Sequence, residues 1–243
     1  MAAIYRPPLA NPSPGGLYQA ATILPGDRLF DNVRVISMNC GPSWIWPIHC
    51  DDPVPDPSPK GEDPREDDLD PFEGDVIGAH DNCGIAVPEA EAKQRAEQLL
   101  RLHEPVRVEQ QVAPKLLTAA GAPATPTGGI VGAVAALEEA VAEFGFTGVI
   151  HAAPHIAALA QAAHLITRQG ALAVSPLGHR WAFGSGYAAL GETLVLTGPV
   201  VIHQSPVITA SGLDVQHNDR LNTAEREVVV TWECYAEAAT IGD

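Results

Sequence analysis

Two groups of residues in this 243-residue chain are of types that bind metals or move protons. The first is a run of histidines, His151, His155 and His164, in GVIHAAPHIAALAQAAHLITRQG, residues 148–170. The second is Cys40, His49, Cys50 and Cys83, set on either side of a long acidic stretch. Tetrahedral zinc takes thiolate and imidazole ligands, so the second group has suitable atoms. Its spacing argues the other way, because it contains no C-x-x-C pair to present two sulfurs from one turn. In a cytosolic chain the four thiols, Cys234 included, are expected to be reduced and to behave as small buried side chains, with no metal bound. Zinc at Cys40, His49, Cys50 and Cys83, in a small enzyme or binding protein, is the competing reading.

The histidines do not share a face. His151 ends a short strand, whereas His155 follows Pro154 into the first turn of a helix. His164 lies nine residues further on, about two and a half helical turns, and so points elsewhere. No acidic residue falls between positions 144 and 191 to act as a third ligand or to orient a ring. All three read as structural. FGSGYAALG, with Gly184, Ser185 and Gly186, has neither the G-x-S-x-G spacing of a nucleophile elbow nor the G-x-G-x-x-G spacing of a dinucleotide loop. LHEP around His103 is not H-E-x-x-H, and no P-loop occurs. No catalytic residue or cofactor is assigned, and an enzyme is not expected.

The elements that would position these residues follow from proline, charge and periodicity. Prolines at 7, 8, 12, 14 and 25 make residues 1–28 an extended arm. FDNVRVISMNCGPSWIWPIHC and PFEGDVIGAHDNCG read as two extended limbs of a hairpin, with Trp44, Trp46 and Phe72 as its large apolar residues. Between the limbs, residues 51–75 carry eleven acids, two bases and six prolines, a composition that cannot bury enough apolar surface to order itself alone. Pro88, Glu89 and Glu91 open a long helix, which Pro105 should kink or break, with a second segment to about 113. Ile130, Val134, Leu137, Val141 and Phe144 form one apolar stripe of a further helix that Gly145 ends, with Glu138, Glu139 and Glu143 off the stripe. FTGVI is a short buried strand, and the helix after Pro154 should run through Arg168 to a cap at Gly170. Trp181 and Phe183 share a strand face. ETLVLTGPVVIHQSPVI reads as two strands around Gly198–Pro199, ASGLDVQHNDRLN as a polar loop, and EREVVVTWECYAEAATI as one long strand with Val228, Val230, Trp232, Cys234 and Ala236 on one face.

Composition narrows the class. A formal net charge of −16 leaves no basic face for sequence-specific nucleic-acid binding. No apolar run reaches the length of a membrane span, and the N-terminus lacks a signal-peptide core, so a cytosolic origin is the default.

The order of arm, long hairpin, long helix, second amphipathic helix and an α/β region closed by a terminal strand resembles the major capsid protein of tailed phages. This is the Hong Kong 97-type fold, also used by encapsulin shells. GFTGVIHAAPHIAALAQAAHLITRQGALAVSPLGHRWAFGSGY is similar to the family's axial domain. REVVVTWECYAEAATI is similar to its closing peripheral strand, as found in capsid-type proteins of actinobacterial phages. The resemblance implies an α+β fold divided as N-terminal arm 1–30, extended loop 31–86 with the acidic tip, spine helix and peripheral domain 87–144, axial domain 145–205 and return strand 206–243. It implies a structural subunit that assembles with itself into pentamers and hexamers of an icosahedral shell, made in the host cytoplasm and resident in the virion. Decoration, portal or scaffolding proteins are the further partners such a shell admits. Another virion component or an encapsulin-like shell is the alternative. Exposed aromatics mark interfaces, so Trp44, Trp46 and Phe72 are expected to contact a neighbouring subunit. Some members crosslink subunits through a loop lysine. Here only Lys60 of Lys60, Lys93 and Lys115 lies in the loop, among acids that favour its charged and non-nucleophilic form, so no crosslink is expected.

Overall fold

The computed structural model describes residues 6–26, 32–41, 43 and 71–242. The described elements, in chain order, begin with α1 (Leu17–Ala20), β1 (Thr22–Pro25), β2 (Asn32–Val33), β3 (Phe72–Glu73) and β4 (Asp75–Gly84). Then come α2 (Glu89–Ala120), α3 (Gly129–Ala140), β5 (Val149–Ala152), α4 (Ile156–Ala162), β6 (Thr167–Gln169), β7 (Leu172–Val174) and β8 (Arg180–Phe183). The chain closes with β9 (Thr193–Thr197), β10 (Val200–Gln204), β11 (Ile208–Asp214), β12 (Asp219–Trp232) and β13 (Ala236–Thr240). Helix and strand mix as an α+β fold.

Strand β12 organises the first sheet. Strands β10 and β11 lie end to end along one of its edges, β4 runs antiparallel along the other, and β1 adds in parallel to β10. The second sheet has the order β13-β9-β5-β8-β7-β6. The long terminal strand expected from the sequence is thus two strands in two sheets. Residues 233–235 turn between them, and Cys234 takes a left-handed φ of 75°. The two strands around Gly198–Pro199 form as expected, but they also divide between the sheets. Because β9 pairs with β13 and β10 with β12, both chain segments cross the corner side by side, and the Gly198 amide donates to the Tyr235 carbonyl at 3.0 Å.

Helix α2 is one 32-residue element with Pro105 and Pro114 inside it. An interior proline costs a helical hydrogen bond and about 3 kcal/mol. Burial of Ala92, Ala96, Leu100, Val108, Val112, Ala113 and Leu116 along its length opposes that cost, so neither proline ends the helix. The arm is woven in rather than loose: Leu17 is 0% exposed and β1 lies on the sheet. Residues 210–222, expected as a polar loop, lie in the β11–β12 hairpin. Helix α4 stops at Ala162, and His164 takes a φ of 58°. Arg168 therefore lies in β6, and Gly170 turns β6 into β7 instead of capping a helix.

Two apolar clusters sandwich the second sheet. Val149, Ala182, Val195 and Ala238 face α2, the first sheet and α1. Ile150, Ala152, Trp181, Leu194, Leu196 and Ala239 face α3 and α4. The stripe of α3 works as its periodicity indicates, with Val134, Leu137 and Val141 buried and Gly145 in the left-handed conformation after Phe144. Glu138 departs from it, being buried as well. Beside α2, β2 and β3 pair as the base of the loop.

Candidate functional site

The buried polar residues sit where distant segments meet α2. Helix α1 is a single turn whose N-terminal residue is preceded by Gly16, which has no side chain to cap it. Glu109 of α2 supplies the missing acceptor. Its Oε1 accepts the Leu17 amide at 2.9 Å, and its Oε2 accepts the Gly186 amide at 2.9 Å. One carboxylate thus ties the arm and the start of the 3₁₀ turn Tyr187–Leu190 to the long helix, using unpaired amides at two helix starts. Burial raises its pKa, partly offset by the two amides. The glycines of FGSGY now have a role. A Cβ on Gly184 would strike Tyr187 and Glu109, and one on Gly186 would strike the Val106 carbonyl.

One turn earlier on α2, Glu104 Oε1 accepts from Tyr18 Oη at 2.7 Å and from Gln204 Nε2 at 2.6 Å. Arg226 Nε stands 3.3 Å from Glu104 Oε2, within ion-pair range but not aligned as a hydrogen bond. Burial, and then the Glu104 charge, push the Tyr18 phenol well above its usual range. These four side chains line a cleft of about 510 Å³ between the arm and α2. In the other cluster, Glu138 accepts from Ser175 Oγ at 2.5 Å and from the Leu177 amide at 3.2 Å. Sequence periodicity could place these glutamates on helices, but not their long-range donors.

The histidines separate as expected. His151 is fully buried, between Tyr187 Oη at 2.9 Å from Nδ1 and Thr197 Oγ1 at 3.0 Å from Nε2. Thr197 donates onward to the Gly198 carbonyl, so it accepts from Nε2–H, and Nδ1 accepts from the tyrosine. Desolvation lowers the His151 pKa to about 3, and the ring is neutral. His155 Nε2 meets Glu192 Oε1 at 3.0 Å on the surface, and His164 is exposed.

The thiol reading needs correction. Cys40 and Cys234 are joined in a disulfide across 194 residues, with Cα atoms 5.4 Å apart. Compartment and spacing pointed to reduced cysteines, but the fold brings the loop base onto the sheet corner. Among the described residues, the only group of metal-ligand types that converges is Cys40, Glu233 and Cys234, and its two sulfurs are bonded to each other. The proposed zinc set therefore lacks the Cys40 thiolate. Cys83 is a free, half-buried thiol on β4, while His49 and Cys50 lie outside the described residues, as do Trp44, Trp46 and Lys60. Phe72 packs edge-on against Trp232 at 4.8 Å, beside an apolar cleft of about 570 Å³ that includes Pro114 and Val230. Lys93 and Lys115 are on α2, paired with Glu89 at 2.8 Å and Asp75 at 3.2 Å.

No protein-family model matches the sequence, and no curated protein matches it in sequence. Solved structures do match in fold. A chain of Microbacterium phage Oxtober96 superposes with a TM-score of 0.57 at 11% identity, the match covering 100% of this chain and 94% of that one. The SrpI encapsulin of Synechococcus elongatus gives 0.58 at 13% identity over 100% and 92% of the two chains. The capsid of an empty GTA particle gives 0.51 at 12% identity over 100% of both. Each of these matches is to a shell-type fold over the chain's full length, and the protein has the Hong Kong 97-type fold.

Proposed function

We propose that this chain is the structural subunit of a closed icosahedral shell of the phage-capsid type, resident in the virion and assembled in the host cytoplasm. The observation that carries the reading is the end-to-end likeness to the capsid of the empty GTA particle, with 100% of both chains in the match. The polar chemistry supports it: Glu104, Glu109, Glu138 and His151 are all occupied in holding parts of the same chain together. A subunit that must reach its neighbours needs such internal ties, because each arm or loop lent to an interface is lost to its own core. We divide the chain as arm 1–30, extended loop 31–86, spine helix and peripheral domain 87–144, axial domain 145–205 and return segment 206–243, with β13 of the last part pairing with β9 of the axial part. Trp44, Trp46 and Phe72 are proposed to contact a neighbouring subunit, and non-covalent contacts are proposed to hold the shell.

Electron microscopy and light scattering of the purified chain test this. Closed particles of uniform size are expected, and a monomer under all salt and concentration conditions overturns the reading. Replacing Trp44 and Trp46 with serine should leave a folded subunit that fails to assemble. The likeness to SrpI favours a second reading in the same fold, an encapsulin-like shell. The ultraviolet absorbance ratio of native particles separates the two, since a nucleic-acid filling raises absorbance at 260 nm and a protein filling does not.

A further inference from the structure

The corner where both chain segments cross between the sheets also receives the start of the long loop. Glu233 Oε2 accepts from Ser37 Oγ at 3.0 Å and from the Met38 amide at 3.2 Å, and its Oε1 accepts from Asn39 Nδ2. These bonds hold residues 37–39 against the corner, where Ser37 Oγ also lies 2.7 Å from Cys40 Sγ and 3.9 Å from Cys234 Sγ. They set Cys40 beside Cys234, whose backbone is in a conformation that a non-glycine residue keeps only when its surroundings hold it there. Both cysteines are half-buried, so a small thiol or disulfide can reach them. Their sulfurs and a Glu233 carboxylate oxygen lie within 4.8 Å of one another. A thiolate at either sulfur would face that carboxylate, which slows closure and reopening by exchange alike.

We propose that Cys40–Cys234 is a redox lock that closes after the chain has folded and fixes the base of the loop to the sheet corner. Its partner is a low-molecular-weight disulfide. One cysteine thiolate attacks that disulfide and releases one small thiol. The second cysteine then attacks the mixed disulfide and releases the other, so two electrons and two protons pass from the protein to the oxidant. A reducing dithiol runs the sequence backwards. In a reducing compartment the chain is held at this corner by non-covalent contacts, those of Glu233 among them, and on reaching an oxidising one it becomes covalently fixed. The lock belongs to the single chain and does not depend on whether the chain assembles.

The test uses the full chain incubated with oxidised glutathione or with a phosphine reductant, alkylated, and digested with trypsin without reduction. Oxidation should link peptide 35–60 to peptide 227–243. Because Cys50 shares the first peptide with Cys40, the link should persist in Cys50→Ser and vanish in Cys40→Ser. Hydrogen exchange of amides 33–41 should quicken by about tenfold or more on reduction, and equally in Cys234→Ser, while β5 and β9 stay unchanged. Glu233→Gln should leave the final pairing the same. The proposal is overturned by the absence of a linked pair after oxidation, by a pair that survives Cys40→Ser, by exchange that quickens throughout the chain, or by a different pairing in Glu233→Gln.

Discussion

The two faces of the six-stranded sheet bury different chemistry. Toward α3 and α4 the face is apolar, made of Ile150, Ala152, Trp181, Leu194, Leu196 and Ala239. Toward α2 the same strands contribute Val149, Val195 and Ala182, but also His151 and Thr197, both fully buried. The first face is covered by helices close in sequence, which an apolar stripe holds with one polar tie, Glu138 of α3 to Ser175 and the Leu177 amide. The second is covered by the long helix, the arm and the Gly184–Leu190 segment, which come from three separate parts of the chain. Hydrophobic burial is non-directional and cannot by itself fix where three such pieces meet. Hydrogen-bonded groups with one acceptable arrangement supply that direction, as Tyr187–His151–Thr197 and Glu109 do here.

Acid should break the second face first, and this is the largest effect expected. The folded pKa of His151 is depressed to about 3, against about 6.5 in an unfolded chain. As pH falls through that interval the unfolded chain binds a proton that the folded one does not, so stability present above pH 6.5 is lost toward pH 3. At about 1.4 kcal/mol per unit the loss approaches 5 kcal/mol over the whole span and about 2 kcal/mol by pH 5. His179 and His203, also depressed by burial, act in the same direction. Urea unfolding at pH 7 and pH 5 isolates the His151 share. His151→Gln should be less stable at pH 7 yet lose about 2 kcal/mol less than the parent between the two. An equal loss in both proteins would show that the ring does not carry the slope.

Glu109 sharpens the comparison because its titration runs the other way. Burial raises its folded pKa, so its contribution is fully present below its unfolded value and weakens as pH rises through the folded one. Glu109→Ala removes the acceptor of two amides, Leu17 and Gly186, and should destabilise by about 3 kcal/mol at pH 7. The damage should be local, with hydrogen exchange quickening across 17–25 and 184–190 before β5 or α3. Glu109→Gln keeps one acceptor and should cost less while removing this residue's pH dependence. A loss below about 0.5 kcal/mol in Glu109→Ala would mean that water replaces the carboxylate there.

The apolar face was legible in the sequence and the polar one was not, for the same reason. Val134, Leu137 and Val141 announce their face by their own spacing, and FTGVI announces a buried strand by composition. Glu109 carries no such mark. It sits on a helix rich in glutamate and arginine, and its donors are 92 and 77 residues away. The glycines at 184 and 186 were the available signal, since paired glycines mark close backbone approach as well as catalytic turns. Pro105 misled because helix propensity is local, whereas α2 is held by what lies along it. The terminal strand misled differently. Its alternation continues through Cys234, but the chain changes sheets there, and only the partner strands β9 and β10 reveal the corner. The disulfide at that corner was hidden by the sequence separation of 194 between its cysteines.

The smallest effect belongs to His155, the second histidine of residues 148–170. His155 and Glu192 meet at 3.0 Å, but their side chains are 53% and 56% exposed, and water and salt screen the pair. Such pairs contribute a few tenths of a kcal/mol or nothing. The pair also stands on the surface, apart from the Tyr187–His151–Thr197 chain in the interior, so its loss exposes no buried donor or acceptor. His155→Ala should therefore change unfolding free energy by less than about 0.5 kcal/mol at pH 6 and at pH 8 alike. A loss above about 1 kcal/mol would mean that His155 holds Glu192 against the body. The contrast between one buried, directional histidine and one surface histidine four residues later would then fail.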